Sequence, residues 1–181
     1  MPPSLQSVWR NWMKPLLKQA VFLCACLYAL TGQASGDSLS DALSALEAGN
    51  NSKAVKLLRP LAKQGNAMAQ FKLATLYYSG NGVRQSYKQA AHLYRQAAEQ
   101  GHPVAQSNLA TLYYLGEGVL KNFVLAYMWK DIATSHSEGD RQLRYLAQLK
   151  ALSRNMSAKQ LAEAKKLAKQ CTAKKFKGCK Q

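Results

Sequence analysis

Apolar residues recur every three or four positions along most of the chain after residue 37, which is the spacing of a helix with one buried face. Ala69, Leu73, Leu76 and Tyr77 follow this spacing, and Gly80 comes one turn later. A second amphipathic stretch follows, from about residue 86 to residue 100. Because glycine readily ends a helix and turns the chain, the pattern predicts pairs of helices separated by glycine turns.

The same pattern returns after 36 residues. Residues 65–83 and residues 101–119 are identical at twelve of nineteen positions. A fixed period of this length is the signature of a solenoid, in which each helix pair buries its apolar face against its neighbours. We therefore predict an all-α fold, an α-solenoid of antiparallel helix pairs with a C-terminal helical cap.

The chain divides into six predicted segments. The two full repeats are expected at about residues 66–101 and 102–137. The other segments are a signal peptide at 1–34, an N-terminal hairpin at 37–65, a cap at 138–170 and a basic, disulfide-closed tail at 171–181.

The first residues have the composition of an export signal. Three basic residues up to Lys18 precede the apolar run 20–30, and small residues lead to Ala34. Eleven apolar residues make about 16 Å of helix, roughly half the thickness of a bilayer core. We expect cleavage after Ala34, which leaves a periplasmic or secreted protein without a transmembrane span. An uncleaved anchor, a lipoprotein box at Cys26 and a start at Met13 remain open.

Two cysteines, Cys171 and Cys179, remain after this cleavage. In an oxidising compartment a pair of this kind forms a disulfide, and we predict one that closes a small loop at the end of the chain. A metal site is a weaker interpretation, since the chain has no CxxC motif and no histidine near the pair.

Charge is concentrated at the C-terminus. The chain carries 25 lysines and arginines against 9 acidic residues, a formal charge of +16, and residues 159–181 hold eight of the lysines and one glutamate. An anionic envelope surface is one expected target; a solvated helix end that keeps the protein soluble is the alternative. No nucleic-acid partner is expected. The predicted anionic-surface residues are Lys165, Lys166, Lys169, Lys174, Lys175 and Lys177.

Motifs that carry chemistry are missing from the sequence. There is no HExxH, GxSxG, P-loop or GxGxxG motif, and His92, His102 and His136 lie far apart. The nine acidic residues include no pair spaced for acid–base catalysis. We therefore predict no catalytic residues, no metal site and no cofactor.

The repeat resembles a known family. The segment Ala105-Gln106-x-x-Leu109-Ala110-x-x-Tyr113-x-x-Gly116-x-Gly118-Val119, together with the Ala-Ala-Glu-Gln-Gly segment at 97–101, is similar to the SEL-one-like repeat, a relative of the tetratricopeptide repeat. The resemblance implies a solenoid that binds other proteins. Family members that act on cell-wall molecules carry cysteine pairs within each repeat, and these repeats have none. A cell-wall hydrolase is thus the least favoured interpretation.

A protein partner is expected on the first helix of each unit, which lines the inner face of such a solenoid. We expect a monomer that acts as a non-enzymatic adaptor of the bacterial cell envelope; a glycan- or surface-binding protein that uses the lysine-rich end is the alternative. Packing of Tyr78 and Tyr114 against a neighbouring helix is an equally good interpretation of those two rings. The predicted partner-binding residues are Phe71, Lys72, Thr75, Tyr78, Ser79, Asn108, Thr111, Tyr114 and Leu115.

Overall fold

A computed structural model describes residues 38–179; the predicted export signal and the last two residues lie outside this range. The described residues form eight helices and no strand, which confirms the predicted all-α repeat fold. The first helix, α1, covers residues 38–47. The others are α2 (Asn51–Lys63), α3 (Ala67–Ser79), α4 (Tyr87–Ala98), α5 (Pro103–Leu115), α6 (Phe123–Ser135), α7 (Gly139–Ser153) and α8 (Ala158–Ala173).

Most helices begin at a polar side chain that accepts a hydrogen bond from the backbone N–H three residues later. At α8, Ser157 makes this bond and the Gln160 side chain accepts one in return from the Ser157 backbone, which completes a capping box. The side chains that cap the earlier helices are Asn50, Asn66, Ser86, His102 and Asn122.

The helices pack in sequence-adjacent pairs from Asp41 onward. The helix α3 packs against α4 and α5 against α6, and each pair also contacts the next through α2 with α3 and α4 with α5. At the end of the stack, α7 and α8 both pack against α6. Fully buried alanines such as Ala69, Ala90 and Ala105 stand at the contact positions, where small side chains let helices approach closely.

The glycine turns have two separate roles. Gly80 and Gly116 end α3 and α5 in the left-handed region, with φ of 75° and 80°. Gly82 and Gly118 lie directly against the preceding unit, because a Cβ built on Gly82 would overlap the backbone of Asn51 and one on Gly118 would overlap that of Tyr87. The second glycine of each turn therefore lets the loop pack against the start of the preceding helix, which is α2 for Gly82 and α4 for Gly118.

A buried glutamine also ties each unit to the one before it. The Nε2 atom of Gln70 donates to the carbonyl oxygen of Ala62 at 3.1 Å, and Gln106 donates to Ala98 at the same distance. Both side chains are at least 97% buried, and each supplies a second donor to a carbonyl group at the end of α2 or α4 that also accepts from the N–H of Gly65 or Gly101 in the following turn.

Candidate interaction surface

The predicted partner residues lie on the first helices of two successive units, α3 and α5. Thr75 and Ser79 are exposed on α3, and Thr111, Tyr114 and Leu115 are exposed on α5. Tyr114 and Leu115 keep 38% and 46% of their surface accessible. Because Thr75 and Ser79 stand one repeat before Thr111 and Leu115, they face the same side of the stack. We call these five residues the α3/α5 surface.

The two predicted tyrosine contacts also pack within their own unit. The Tyr78 ring lies 5.3 Å from that of Tyr87, and the Tyr114 ring lies 5.7 Å from that of Phe123, both measured between ring centres. In each case the partner is at the start of the unit's second helix. Tyr78 is half-buried, whereas Tyr114 remains exposed enough to contact another protein.

The remaining three predicted residues, Phe71, Lys72 and Asn108, are half-buried. Phe71 stacks on His102 with ring centres 4.5 Å apart, and the Lys72 ammonium lies 5.8 Å from the centre of the Phe71 ring. His102 in turn caps α5, accepting a hydrogen bond from the Ala105 N–H at Nδ1. Phe71 thus joins α3 to the start of the next unit.

The first full repeat, formed by α3 and α4, has an aromatic cluster beneath α3. Tyr94 on α4 is 98% buried, and its ring centre lies 6.1 Å from that of Phe71. The Tyr94 hydroxyl is 3.2 Å from the Thr75 hydroxyl. Burial raises the pKa of Tyr94, so the phenol stays neutral and the site is uncharged at physiological pH.

In the second full repeat, formed by α5 and α6, two polar residues stand in place of this aromatic pair. Thirty-six residues after Phe71 and Tyr94 stand Ser107 and Lys130. The Lys130 ammonium donates to the Ser107 hydroxyl at 2.6 Å, to the Ser107 carbonyl oxygen at 3.3 Å and to the Gln148 side-chain oxygen at 2.8 Å. It also lies 5.0 Å from the centre of the Tyr145 ring, a cation–π distance.

Lys130 is a buried cation without a carboxylate partner. It is 94% buried, and desolvation lowers its pKa from 10.5 to about 8. Burial is the entire cause of this shift; no described carboxylate acts to raise the pKa again. The three acceptors of Lys130 are neutral groups, so its positive charge is not compensated within the described residues.

A cavity of about 310 Å³ opens beside Lys130, between α5, α6 and α7. Its walls are partly apolar, at Ala110, Ala151 and Leu152. They are partly polar, at Gln148, Asn155 and two residues of the α3/α5 surface, Thr111 and Tyr114. The cavity therefore joins the predicted partner face to a buried positive charge.

Sequence reasoning missed Lys130 as a site residue. The available signal was the repeat alignment itself, in which a buried tyrosine of one unit becomes a lysine in the next. The predicted positions lie on the first helices only, whereas Lys130 lies on the second helix of its unit and bonds to the first helix through Ser107.

All six predicted anionic-surface lysines are exposed. Lys165 and Lys169 line a groove between α6 and α8, together with Asp131. Burial raises the pKa of Asp131, and the nearby Lys165 ammonium partly offsets this. The structure thus gathers two of the six residues around one groove, and Lys174, Lys175 and Lys177 follow in the terminal loop.

The predicted disulfide between Cys171 and Cys179 is present. Cys171 lies in the last turn of α8, and the closed loop reaches back to the repeats through Phe176. The Phe176 ring lies edge-on to that of His136 at 5.0 Å and packs against Gly101 in the turn between α4 and α5. The disulfide loop therefore braces the end of the stack.

Residues 38–179 contain no cluster of three histidine, cysteine or acidic side chains that could hold a metal ion. None of the helices in this range has both the length and the hydropathy needed to cross a bilayer.

The Sel1 repeat family model matches the chain three times, at residues 43–66, 67–102 and 103–129. With the 36-residue period and the paired helices, these matches show that residues 43–129 consist of three Sel1 repeats, the SEL-one-like repeat that the sequence pattern predicted. Sel1 repeats generally mediate protein–protein interaction and typically form non-catalytic scaffolds.

Solved structures with the same fold agree with this assignment. One is c5321, a protective antigen present in uropathogenic Escherichia coli strains, with a TM-score of 0.72 and 30% identity over 80% of this chain. Another is a Sel1 repeat protein from Oxalobacter formigenes, with a TM-score of 0.54 and 30% identity over 58% of this chain. The chain spans 31% and 43% of those two proteins. No curated protein is significantly similar to it in sequence.

Proposed function

We propose that this protein is an exported, non-enzymatic scaffold of the bacterial cell envelope that binds another protein through the α3/α5 surface. The observation that carries this proposal is the exposure of Tyr114 and Leu115, two large side chains, beside an open cavity on the first helix of a Sel1 repeat. Exposed aromatic and apolar side chains next to a pocket are typical of the centre of a protein interface.

Binding at this surface can be tested by photocrosslinking in living cells. A photoreactive phenylalanine analogue at Thr111 or Tyr114 should yield one specific protein adduct. The matched control places the analogue at Gln89, an exposed residue on the second helix of the preceding unit. Adducts that are the same from all three positions would contradict binding at the α3/α5 surface.

Export rests on the composition of residues 1–34 and agrees with the description of c5321 as a protective antigen. N-terminal sequencing of the protein recovered from the periplasm or the medium should give a chain that starts at Ser35. A chain that stays in the cytoplasm with residues 1–34 intact would contradict export.

A second candidate function is binding to an anionic envelope surface through α8 and the terminal loop. The exposure of all six predicted lysines, with Lys165 and Lys169 around one groove, favours it. Binding to phosphatidylglycerol vesicles should fall steeply with salt and should weaken when Lys165, Lys166 and Lys169 become glutamine. Equal binding by this variant, which keeps the disulfide, would contradict the idea.

A further inference from the structure

We propose that the cavity beside Lys130 binds a glutamate side chain of the partner protein, with the carboxylate placed against the Lys130 ammonium. This inference rests on the proposed function, since it identifies the chemistry by which a partner on the α3/α5 surface is recognised.

The first support is an uncompensated charge. The Lys130 ammonium has only neutral acceptors, at Ser107 and Gln148, and no described carboxylate offsets its desolvation. With a pKa of about 8 it still carries its proton in most molecules at pH 7. A buried cation is strongly stabilised by a carboxylate that brings the opposite charge into the same site.

The second support is that the fold does not need a lysine at this position. The equivalent residue of the preceding unit is Tyr94, which fills its site against Phe71 and bonds to Thr75. Both units have the same helix pair and the same turns. The lysine therefore lies beside a cavity at a position where the preceding unit packs aromatic rings, and such a local departure from a repeat is expected where a binding site lies.

The third support is the shape of the cavity. Its volume of about 310 Å³ exceeds that of one side chain, and its apolar wall of Ala110, Ala151 and Leu152 suits the two methylenes of glutamate. Gln148 lies on the exposed side of α7, so it can rotate away and free one N–H of Lys130 for the carboxylate.

The fourth support is the position of the cavity. Thr111 and Tyr114 line it and also belong to the α3/α5 surface. A partner segment that lies across this surface passes the cavity with its internal residues, which can insert a side chain. This arrangement favours a side-chain carboxylate over the carboxylate at the end of a partner chain.

The test uses the purified full chain with ¹³C at the lysine Cε atoms, and the Lys130 signal is assigned by its loss in Lys130→Met. Three probes are titrated: a capped Ala-Glu-Ala tripeptide, a capped Ala-Gln-Ala tripeptide, and an N-capped Ala-Ala-Ala with a free C-terminal carboxylate. The glutamate probe should shift the Lys130 signal to saturation, and the other two should bind about tenfold more weakly.

Each contrary outcome overturns the inference. It is wrong if the glutamate and glutamine probes shift Lys130 equally, or if the probe with the free carboxylate binds more tightly than the glutamate probe. The matched control is Lys150→Met, which removes one exposed lysine from α7 and should leave glutamate binding unchanged. Loss of the glutamate-induced shift of Lys130 in Lys150→Met would show that net charge alone attracts the probe, and it would overturn the inference.

The two proposals fail separately. A partner that crosslinks at Tyr114 equally in the natural chain and in Lys130→Met would retain the proposed function and remove the glutamate site. If glutamate binds at Lys130 but no partner crosslinks at Thr111 or Tyr114, the scaffold proposal fails and the assignment of the carboxylate to a partner protein fails with it.

Discussion

Positions 94 and 130 are equivalent in two successive units, yet they hold side chains of opposite character. Tyr94 is neutral, packed against Phe71 and bonded to Thr75. Lys130 is charged and opens onto a cavity. The two repeats therefore share a backbone arrangement, while the side chains buried between their helices can be either aromatic or polar.

The two units agree where they touch their neighbours. Gly82 and Gly118 seat the loops on the preceding unit, and Gln70 and Gln106 bond to its carbonyl groups. These contacts define the stack, so we expect substitutions there to have the same effect in both units and substitutions at positions 94 and 130 to have opposite effects.

The largest effect is expected at the shared glycines. Gly82→Ala and Gly118→Ala should each destabilise the fold by about 4 kcal/mol, because the new Cβ overlaps backbone and the φ angles are positive. Urea unfolding measures this. The matched control is Gly49→Ala, which has φ of 72° and open space around it, and which should cost about 1 kcal/mol. A similar cost at all three positions would show that close approach does not matter.

The next largest effect on stability is expected from changing the polarity of the side chains at positions 94 and 130. Tyr94→Lys should destabilise the fold by about 3 kcal/mol, since it buries an ammonium among aromatic rings. Lys130→Met should stabilise it by about 2 kcal/mol at pH 7, since it removes an uncompensated buried charge. Both are measured by urea unfolding, and effects of the same sign would contradict the comparison.

The gain from Lys130→Met should depend on pH in a defined direction. The pKa of Lys130 is lower in the folded protein, about 8, than the ordinary 10.5 expected in the unfolded chain. The unfolded chain therefore holds more protons between these values, and the natural protein becomes more stable as the pH rises through this window. The difference in unfolding free energy between Lys130→Met and the natural protein should be largest below pH 8 and should decrease as the pH rises toward 10.5.

A smaller effect on stability is expected at the disulfide loop, which contacts the turn between α4 and α5 through Phe176. Replacing Cys171 and Cys179 together with serine should cost about 2.5 kcal/mol, because the unfolded chain gains the freedom of an open loop. Phe176→Ala keeps the disulfide and removes the contacts with Gly101 and His136, so it separates loop closure from packing. A double cysteine variant as stable as the natural protein would show that the disulfide adds nothing.

The smallest effect on stability is expected at the residues that precede α5 and α7, His102 and Glu138. His102→Ala should destabilise the fold by about 1 kcal/mol, since His102 caps α5 and stacks on Phe71. Glu138 stands at the equivalent position before α7 and makes no capping bond through its side chain, so Glu138→Ala should change stability by less than about 0.5 kcal/mol. Equal losses in the two variants, measured by thermal unfolding, would contradict this difference between units.

The fold was predictable because its evidence is periodic. Helix faces, glycine turns and the cap at Ser157 all follow from residue types at fixed spacings, and Cys171 and Cys179 are the two cysteines that remain once the predicted signal peptide is set aside. The tight seating of Gly82 and Gly118 was not predictable, because it depends on contact with helices more than thirty residues earlier.

The candidate site was predictable only in part. The helical spacing along α3 and α5 indicated exposed positions such as Thr111 and Leu115, but Lys72 and Asn108, which the same spacing places on that face, are half-buried. It could not show that Phe71 would stack on His102, or that α7 would bring Gln148 to Lys130. The first contact joins two successive units and the second depends on how α7 packs against α6, and the spacing of residues within one unit encodes neither.

The seating of each loop on the preceding unit also constrains how such a protein can grow or shrink in evolution. The start of α2 and the start of α4 present equivalent backbone to Gly82 and Gly118. Loss of one whole 36-residue unit would therefore join surfaces that already match, whereas an insertion of any other length would misplace the second glycine. Gene duplication can lengthen this repeat fold one unit at a time, and each new copy is then free to exchange an aromatic pair for a polar one.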